Sequence, residues 1–92
     1  MWYTYVLYSL KVGRKYIGVT GDLKRRFYEH NHGTGNRYTD RTKPYKLLFY
    51  EAFISKKDAE KQERFYKTGY GREVLKNKIE NSLNEICGVV QW

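Results

Sequence analysis

The chain has 92 residues, with 18 Lys and Arg against 10 Asp and Glu, a formal net charge of +8, ten tyrosines and one cysteine. That length holds one domain with a modest core, over residues 1–92, and excludes a separate lid domain; the charge points to polyanions, nucleic acid first. Cys87 alone excludes an intramolecular disulfide and a cysteine zinc site and suits a reducing, cytoplasmic compartment, while no run nears the ~18 apolar residues of a membrane span, so a soluble, unprocessed chain is expected.

From Trp2 to Leu10 the residues are aromatic, β-branched or apolar with almost no charge, which predicts a central strand. Lys11-Val12-Gly13-Arg14 supplies a turn and Lys15 to Val19 a second strand, so the two form an antiparallel hairpin. Tyr3, Tyr5 and Leu7 share one face of the first strand, and Tyr16 and Gly18 one face of the second. Tyr5 and Tyr16 therefore sit on neighbouring strands, and the side to which each points is left open.

Asp22 is a good N-cap for a helix of about Asp22 to His32, with Leu23 and Phe27 as its apolar stripe and Gly33 and Gly35 beyond its end. Arg26 and His30 are read as lying about 60° round the wheel from that stripe, at the rim of the core. A rim position lets packing hold a charged group while its head reaches a cleft; Lys24, Arg25 and Glu29 point further outward. Taken singly, a solvated arginine and a histidine without a role are the plain alternatives. Gly33 to Tyr45 reads as a loop of unusual length for so small a domain, and its Arg37, Arg41 and Lys43 suit a phosphate backbone, against the plainer reading of an ordinary surface loop.

Lys46 to Ile54 predicts a third strand, and Ser55-Lys56-Lys57-Asp58 a capping box opening a second helix that reaches about Lys67 and is ended by Gly69 and Gly71. Ala59, Gln62, Glu63 and Tyr66 form its inward stripe. A carboxylate there is costly unless it is paired or bound to a metal, so Glu63 is either a metal ligand or half of an ion pair, for which Arg26 is available. Leu75, Ile79, Leu83 and Ile86 predict one amphipathic third helix from Arg72 to Ile86, followed by a short tail over 87–92. The order β-β-α-β-α-α belongs to the α+β folds with a small sheet. Tyrosines set among lysines and arginines can stack bases beside phosphates, but most of the ten are read as structural.

Tyr3-Thr4-Tyr5, Tyr16-Ile17-Gly18, Asp22-Leu23-Lys24-Arg25-Arg26, Glu29-His30-Asn31, Tyr38-Thr39 with Pro44, and Ala59-Glu60-Lys61-Gln62-Glu63 follow one another in an order that resembles the GIY-YIG nuclease domain. The likeness is to its stand-alone form, similar to an excinuclease N-terminal domain. It covers residues 2–78 and leaves 79–92 as the end of the last helix and the tail.

The resemblance implies a three-stranded antiparallel sheet flanked by helices, a divalent metal (Mg²⁺ or Mn²⁺) held by Glu63, and hydrolysis of DNA phosphodiester bonds by an activated water, in repair or processing. Tyr5 and Tyr16 match the two motif tyrosines, one of which serves as general base; Arg26 matches the arginine that steadies the phosphate, and His30 a histidine found in part of the family. A phenol of pKa about 10 is a poor base at neutral pH unless a nearby cation favours its ionised form, which a metal or Arg26 can do. Lys24, Arg25, Arg37, Arg41, Lys43 and Lys67 are further candidates for the DNA backbone, with RNA an open alternative. Tyr3 stands in place of the motif glycine, Thr4 in place of an aliphatic residue and Val19 where the excinuclease domain has lysine; Asn77 is the candidate for a late asparagine. A monomer is expected, with a specificity that is low, shape-based or borrowed from a partner protein. The competing readings are a nucleic-acid-binding module of the same fold without catalysis, and a basic protein-interaction domain.

Overall fold

The computed structural model describes residues 1–33 and 41–87. β1 (Trp2–Ser9) and β2 (Lys15–Thr20) form the hairpin that their composition predicts, with Tyr5 opposite Gly18 and Leu7 opposite Tyr16. Gly13 closes the turn at φ 69°, a left-handed backbone that glycine adopts without a Cβ clash. β3 (Tyr45–Phe53) pairs antiparallel with the other side of β1, giving the order β2-β1-β3 and an irregularity between Val6 and Leu7. β1 is thus the central strand, and β2 and β3 are both edges.

Strand alternation sends successive β1 side chains into two separate cores. On one face Tyr5, Leu7 and Tyr45 are buried under α1 (Leu23–Asn31), which contributes Leu23 and Phe27. Asp22 caps this helix, its Oδ1 accepting from the Arg25 amide at 3.1 Å. On the other face Val6 and Leu48 pack with Tyr66 of α2 (Lys56–Tyr66), Leu75 of α3 (Gly69–Lys78) and Ile79. Full burial of aliphatic side chains of this kind contributes about 1.5–3 kcal/mol each. Thr4 fastens α2 to the sheet, its hydroxyl donating to the Ala59 carbonyl at 2.7 Å. α4 (Glu80–Cys87) packs against β3. No helix among the described residues is long and apolar enough to cross a membrane.

The second half departs from the sequence reading in three places. Ser55 is the N-cap of α2, but its side chain makes no cap hydrogen bond, so the capping box does not form; Asp58 is one methylene shorter than the glutamate of that motif. Gly69 and Gly71 do not trail off from α2. They open α3, where the Thr68 hydroxyl accepts from the Gly71 amide at 3.0 Å, and a Cβ on Gly71 would collide with the Phe65 carbonyl oxygen. Glycine here lets one helix follow the other at once. Finally, Arg72 to Ile86 is two helices, because the backbone turns at Ile79 (φ −113°, ψ 12°) while its side chain stays in the core at 1% exposure. The described order is therefore β-β-α-β-α-α-α, a three-stranded antiparallel α+β fold with one more helix than expected.

A polar cluster ties α2 and α3 to β3. The Tyr66 hydroxyl and Gln62 Nε2 donate to Glu51 Oε1 at 2.6 and 2.9 Å, and Lys78 Nζ lies 3.4 Å from Glu51 Oε2. Burial alone would raise the Glu51 pKa, but the donors Tyr66 and Gln62 and the charge of Lys78 outweigh it and hold the carboxylate below its ordinary value.

Candidate active site

As an edge strand one layer thick, β2 lies within reach of side chains from both faces of the sheet. Gly18 leaves a gap in β2 that the Tyr5 ring fills: a Cβ at position 18 would lie 2.5 Å from the Tyr5 hydroxyl oxygen. The Tyr5 hydroxyl is also 2.8 Å from His30 Nε2. His30 is fully buried, with its ring among those of Tyr16, Tyr5 and Tyr45 at centroid distances of 5.0, 5.8 and 6.2 Å. Its Nδ1 has no hydrogen-bond partner among the described residues.

These surroundings fix where the protons sit. Burial, and then the charge of Arg26, push the His30 pKa down to about 4, so the imidazole is neutral at physiological pH. Burial raises the Tyr5 phenol to about 12, although its interaction with Arg26 pulls the other way. The proton stays on Tyr5, and the neutral phenol and neutral imidazole share the 2.8 Å hydrogen bond to Nε2. Tyr16, half-buried, lies on the same face with its ring 6.5 Å from that of Tyr5.

Arg26 is at the rim as its phase predicts, with 33% of its side chain exposed. Its charged form is favoured despite burial by the Tyr5 hydroxyl and by Glu29, whose Oε1 is 3.1 Å from Nη1. His30 is not at the rim. It follows Leu23 by seven residues and Phe27 by three, which places it on the apolar stripe itself. Glu29, expected to point outward, is half-buried and bridges Arg25 and Arg26.

Glu63 reaches the site from the opposite layer. Its charge adds weakly, after burial, Arg26 and Tyr16, to what acts on the Tyr5 phenol. Its ion-pair partner is Lys67, at 3.1 Å, and not Arg26, which is taken by Glu29. Among the described residues no three His, Cys, Asp or Glu side chains form a metal cage. Glu63, a half-buried carboxylate that already pairs with one cation, is the residue that would hold a hard divalent ion here.

The remaining sequence candidates are dispersed. Arg25 and Arg26 line a polar cleft of about 480 Å³ with Trp2, Val19 and Lys56, whose Nζ stands 5.0 Å over the Trp2 ring. Lys24 lies away from it, in an apolar groove with Tyr3, Phe27 and Tyr50. Arg41 is exposed, and its carbonyl accepts from Lys11 Nζ at 3.1 Å; Lys43 is half-buried before a cis Pro44. Arg37, with Tyr38 and Thr39, lies outside the described residues. Asn77 is exposed on α3, and its side chain makes no hydrogen bond among the described residues. Tyr45, which closes the wall around His30, was not singled out from the sequence; its only local signal is an aromatic residue opening a strand directly after Pro44. Glu29 carried a plainer signal, an acid three residues after Arg26 on one helix.

The sequence model of the GIY-YIG catalytic domain matches residues 1–79. The chain is 46% identical over 65 residues to a UPF0213 protein of Streptococcus agalactiae, covering 71% of this chain and 73% of that one. It is 35% identical over 74 residues to a UPF0213 protein of Staphylococcus saprophyticus, covering 80% and 89%. Among solved structures it is similar to a UPF0213 protein of Bacillus halodurans determined by NMR in solution, with 36% identity, 82% of each chain covered and a TM-score of 0.49.

Proposed function

The chain belongs to the GIY-YIG catalytic domain family, and from that premise we propose that it is a divalent-metal-dependent endonuclease that hydrolyses DNA phosphodiester bonds. What supports the reading is the match to the catalytic-domain model over residues 1–79 together with the clustering of Tyr5, Tyr16 and His30, whose rings lie 5.0–6.5 Å apart.

In this reading Glu63 holds Mg²⁺ or Mn²⁺, which supplies positive charge against the oxygens of the phosphate. The chain's own groups divide the rest. Arg26, held by Glu29, donates to a non-bridging phosphate oxygen, for which its planar fork is suited. His30, kept neutral, anchors the Tyr5 hydroxyl, and Tyr5 keeps its proton. Tyr5 is assigned the part of a hydrogen-bonding group and Tyr16, beside it on the same face, that of activating the water.

A second reading, nucleic-acid binding without catalysis, draws on the Lys67 ammonium, which already neutralises Glu63. Incubation with supercoiled, branched and single-stranded DNA and with RNA, in Mg²⁺ or Mn²⁺, separates the two. Cleavage by the wild type that is lost with EDTA and in Glu63→Gln supports the nuclease. An intact substrate, or equal cleavage by Glu63→Gln, overturns it. Mn²⁺ binding read by electron paramagnetic resonance, weakened in Glu63→Gln, tests the ligand independently of turnover.

A further inference from the structure

A cavity of about 260 Å³ opens on the face of the sheet opposite the tyrosines, between the start of β2 and the junction of α2 with α3. Ile17, Leu75 and the Tyr66 ring form its apolar walls, and Lys15, Lys67 and Arg72 reach it from three elements or junctions. Among the described residues no acid lines it. Lys15 and Arg72 are exposed, and neither has a side-chain hydrogen bond or ion pair among the described residues. Lys67 is shared, its Nζ being 3.1 Å from Glu63 Oε2, so the cavity adjoins the carboxylate of the candidate site.

Three cations over low-dielectric walls form a concave positive field that is neutralised only at Lys67. Their fold position also matters. Lys15 opens β2 and Val19 lies near its other end, beside the cleft of Arg25, Arg26 and Lys56. Four residues of strand span about 13 Å, so the β2 edge is long enough for a short run of backbone phosphates between the two cation clusters.

We propose that the Lys15, Lys67 and Arg72 cavity is a second phosphate site, which seats a backbone phosphate of the nucleic-acid strand to one side of the one that is cut. The proposal rests on the nuclease reading for its ligand. The strand then runs along the β2 edge with a cation cluster at each end and the tyrosines and Glu63 between them. Lys67 is the cation shared between the cavity and the Glu63 carboxylate, so a divalent ion held by Glu63 would free its ammonium for the phosphate.

The test is anisotropy of a labelled oligonucleotide with the full chain in Ca²⁺, across a KCl series. Lys15→Ala with Arg72→Ala is expected to weaken binding on the order of tenfold and to lower the log–log salt slope by about 1–2, as loss of one or two phosphate contacts requires. Lys46→Ala with Lys61→Ala, which removes the same charge from exposed positions outside the cavity, is expected to lower the slope by less. Steady-state cleavage by the first pair should show a raised KM with kcat within a few-fold of wild type. Equal slopes for the two pairs overturn the second phosphate site and leave the nuclease reading standing. A wild type that binds no oligonucleotide removes both. If inorganic phosphate shifts the Lys15 and Ile17 amide resonances while the oligonucleotide does not, the cavity takes a free phosphate ion, and the backbone assignment is wrong.

Discussion

Gly18 and the Tyr5 ring occupy one space across the hairpin: a Cβ on Gly18 would be 2.5 Å from the Tyr5 hydroxyl oxygen and 2.6 Å from Cζ. The ring has little room to yield, because its hydroxyl is bonded to the buried His30. Gly18→Ala is therefore expected to destabilise by about 1–3 kcal/mol through overpacking, and to lower the melting temperature by about 4–8 °C for each kcal/mol. Val19→Ala, one residue further on, provides the comparison in thermal denaturation. An unchanged melting temperature in Gly18→Ala would show that the ring moves freely.

Protonation of His30 sets an acid limit on stability. Its pKa is 6.5 when unperturbed and about 4 in the fold, where burial and Arg26 oppose the imidazolium. Between these values the unfolded chain binds more protons than the folded one. This contribution is thus fully present above pH 6.5 and lost as the pH falls toward 4, at no more than about 1.4 kcal/mol per pH unit. Urea denaturation across that window is expected to give a shallower slope in His30→Gln than in wild type.

The two tyrosines should separate in a pH–rate profile. With its phenol pushed up to about 12 by burial, Tyr5 does not supply a base at neutral pH. Tyr5→Phe is expected to lower the rate of DNA cleavage while keeping the shape of the profile, and Tyr16→Phe to lower it further. The reverse pattern would reassign the two roles.

Two glycines at the start of α3 should respond in opposite directions. A Cβ on Gly71 runs into the Phe65 carbonyl oxygen, whereas one on Gly69 meets nothing within 4 Å. Gly71→Ala is expected to cost about 3 kcal/mol or more, because the obstruction is backbone and cannot rotate away. Gly69→Ala should gain about 0.5–1 kcal/mol from helix propensity and a less flexible unfolded chain. Differential scanning calorimetry of the two variants checks both signs.

Local pattern and the resemblance together made much of the fold legible, whereas the contacts within the candidate site are mostly non-local. The hairpin, α1, β3 and α2 follow from composition, caps and helical period, with ends displaced by one or two residues. Helical phase also placed Arg26 at the rim, where it lies, and Glu63 on an inward stripe, whereas its side chain is half-buried and paired with Lys67. The turn at Ile79 has no glycine or proline to announce it; an unbroken apolar period from Leu75 to Ile86 is compatible with one helix, and packing of α4 on β3 decides otherwise. The burial of His30 was present in its spacing from Leu23 and Phe27, but its ring neighbours Tyr5, Tyr16 and Tyr45 come from three different strands. Lys67 as the partner of Glu63 needed only the spacing of four on one helix, an ordinary surface pair that the inward phase of Glu63 disguises.

β1 sends Thr4 and Val6 toward α2 and Tyr5 and Leu7 toward α1. It is a septum one strand thick, and the proposed ligand groups sit on its two sides. A nucleic acid gripping the β2 edge would therefore brace two hydrophobic compartments against each other, and slack in either one would register as a change in the reach from Glu63 to the phenols. Substitutions deep under α3, far from any phosphate, would then be felt in the alignment of the site as well as in the stability of the chain.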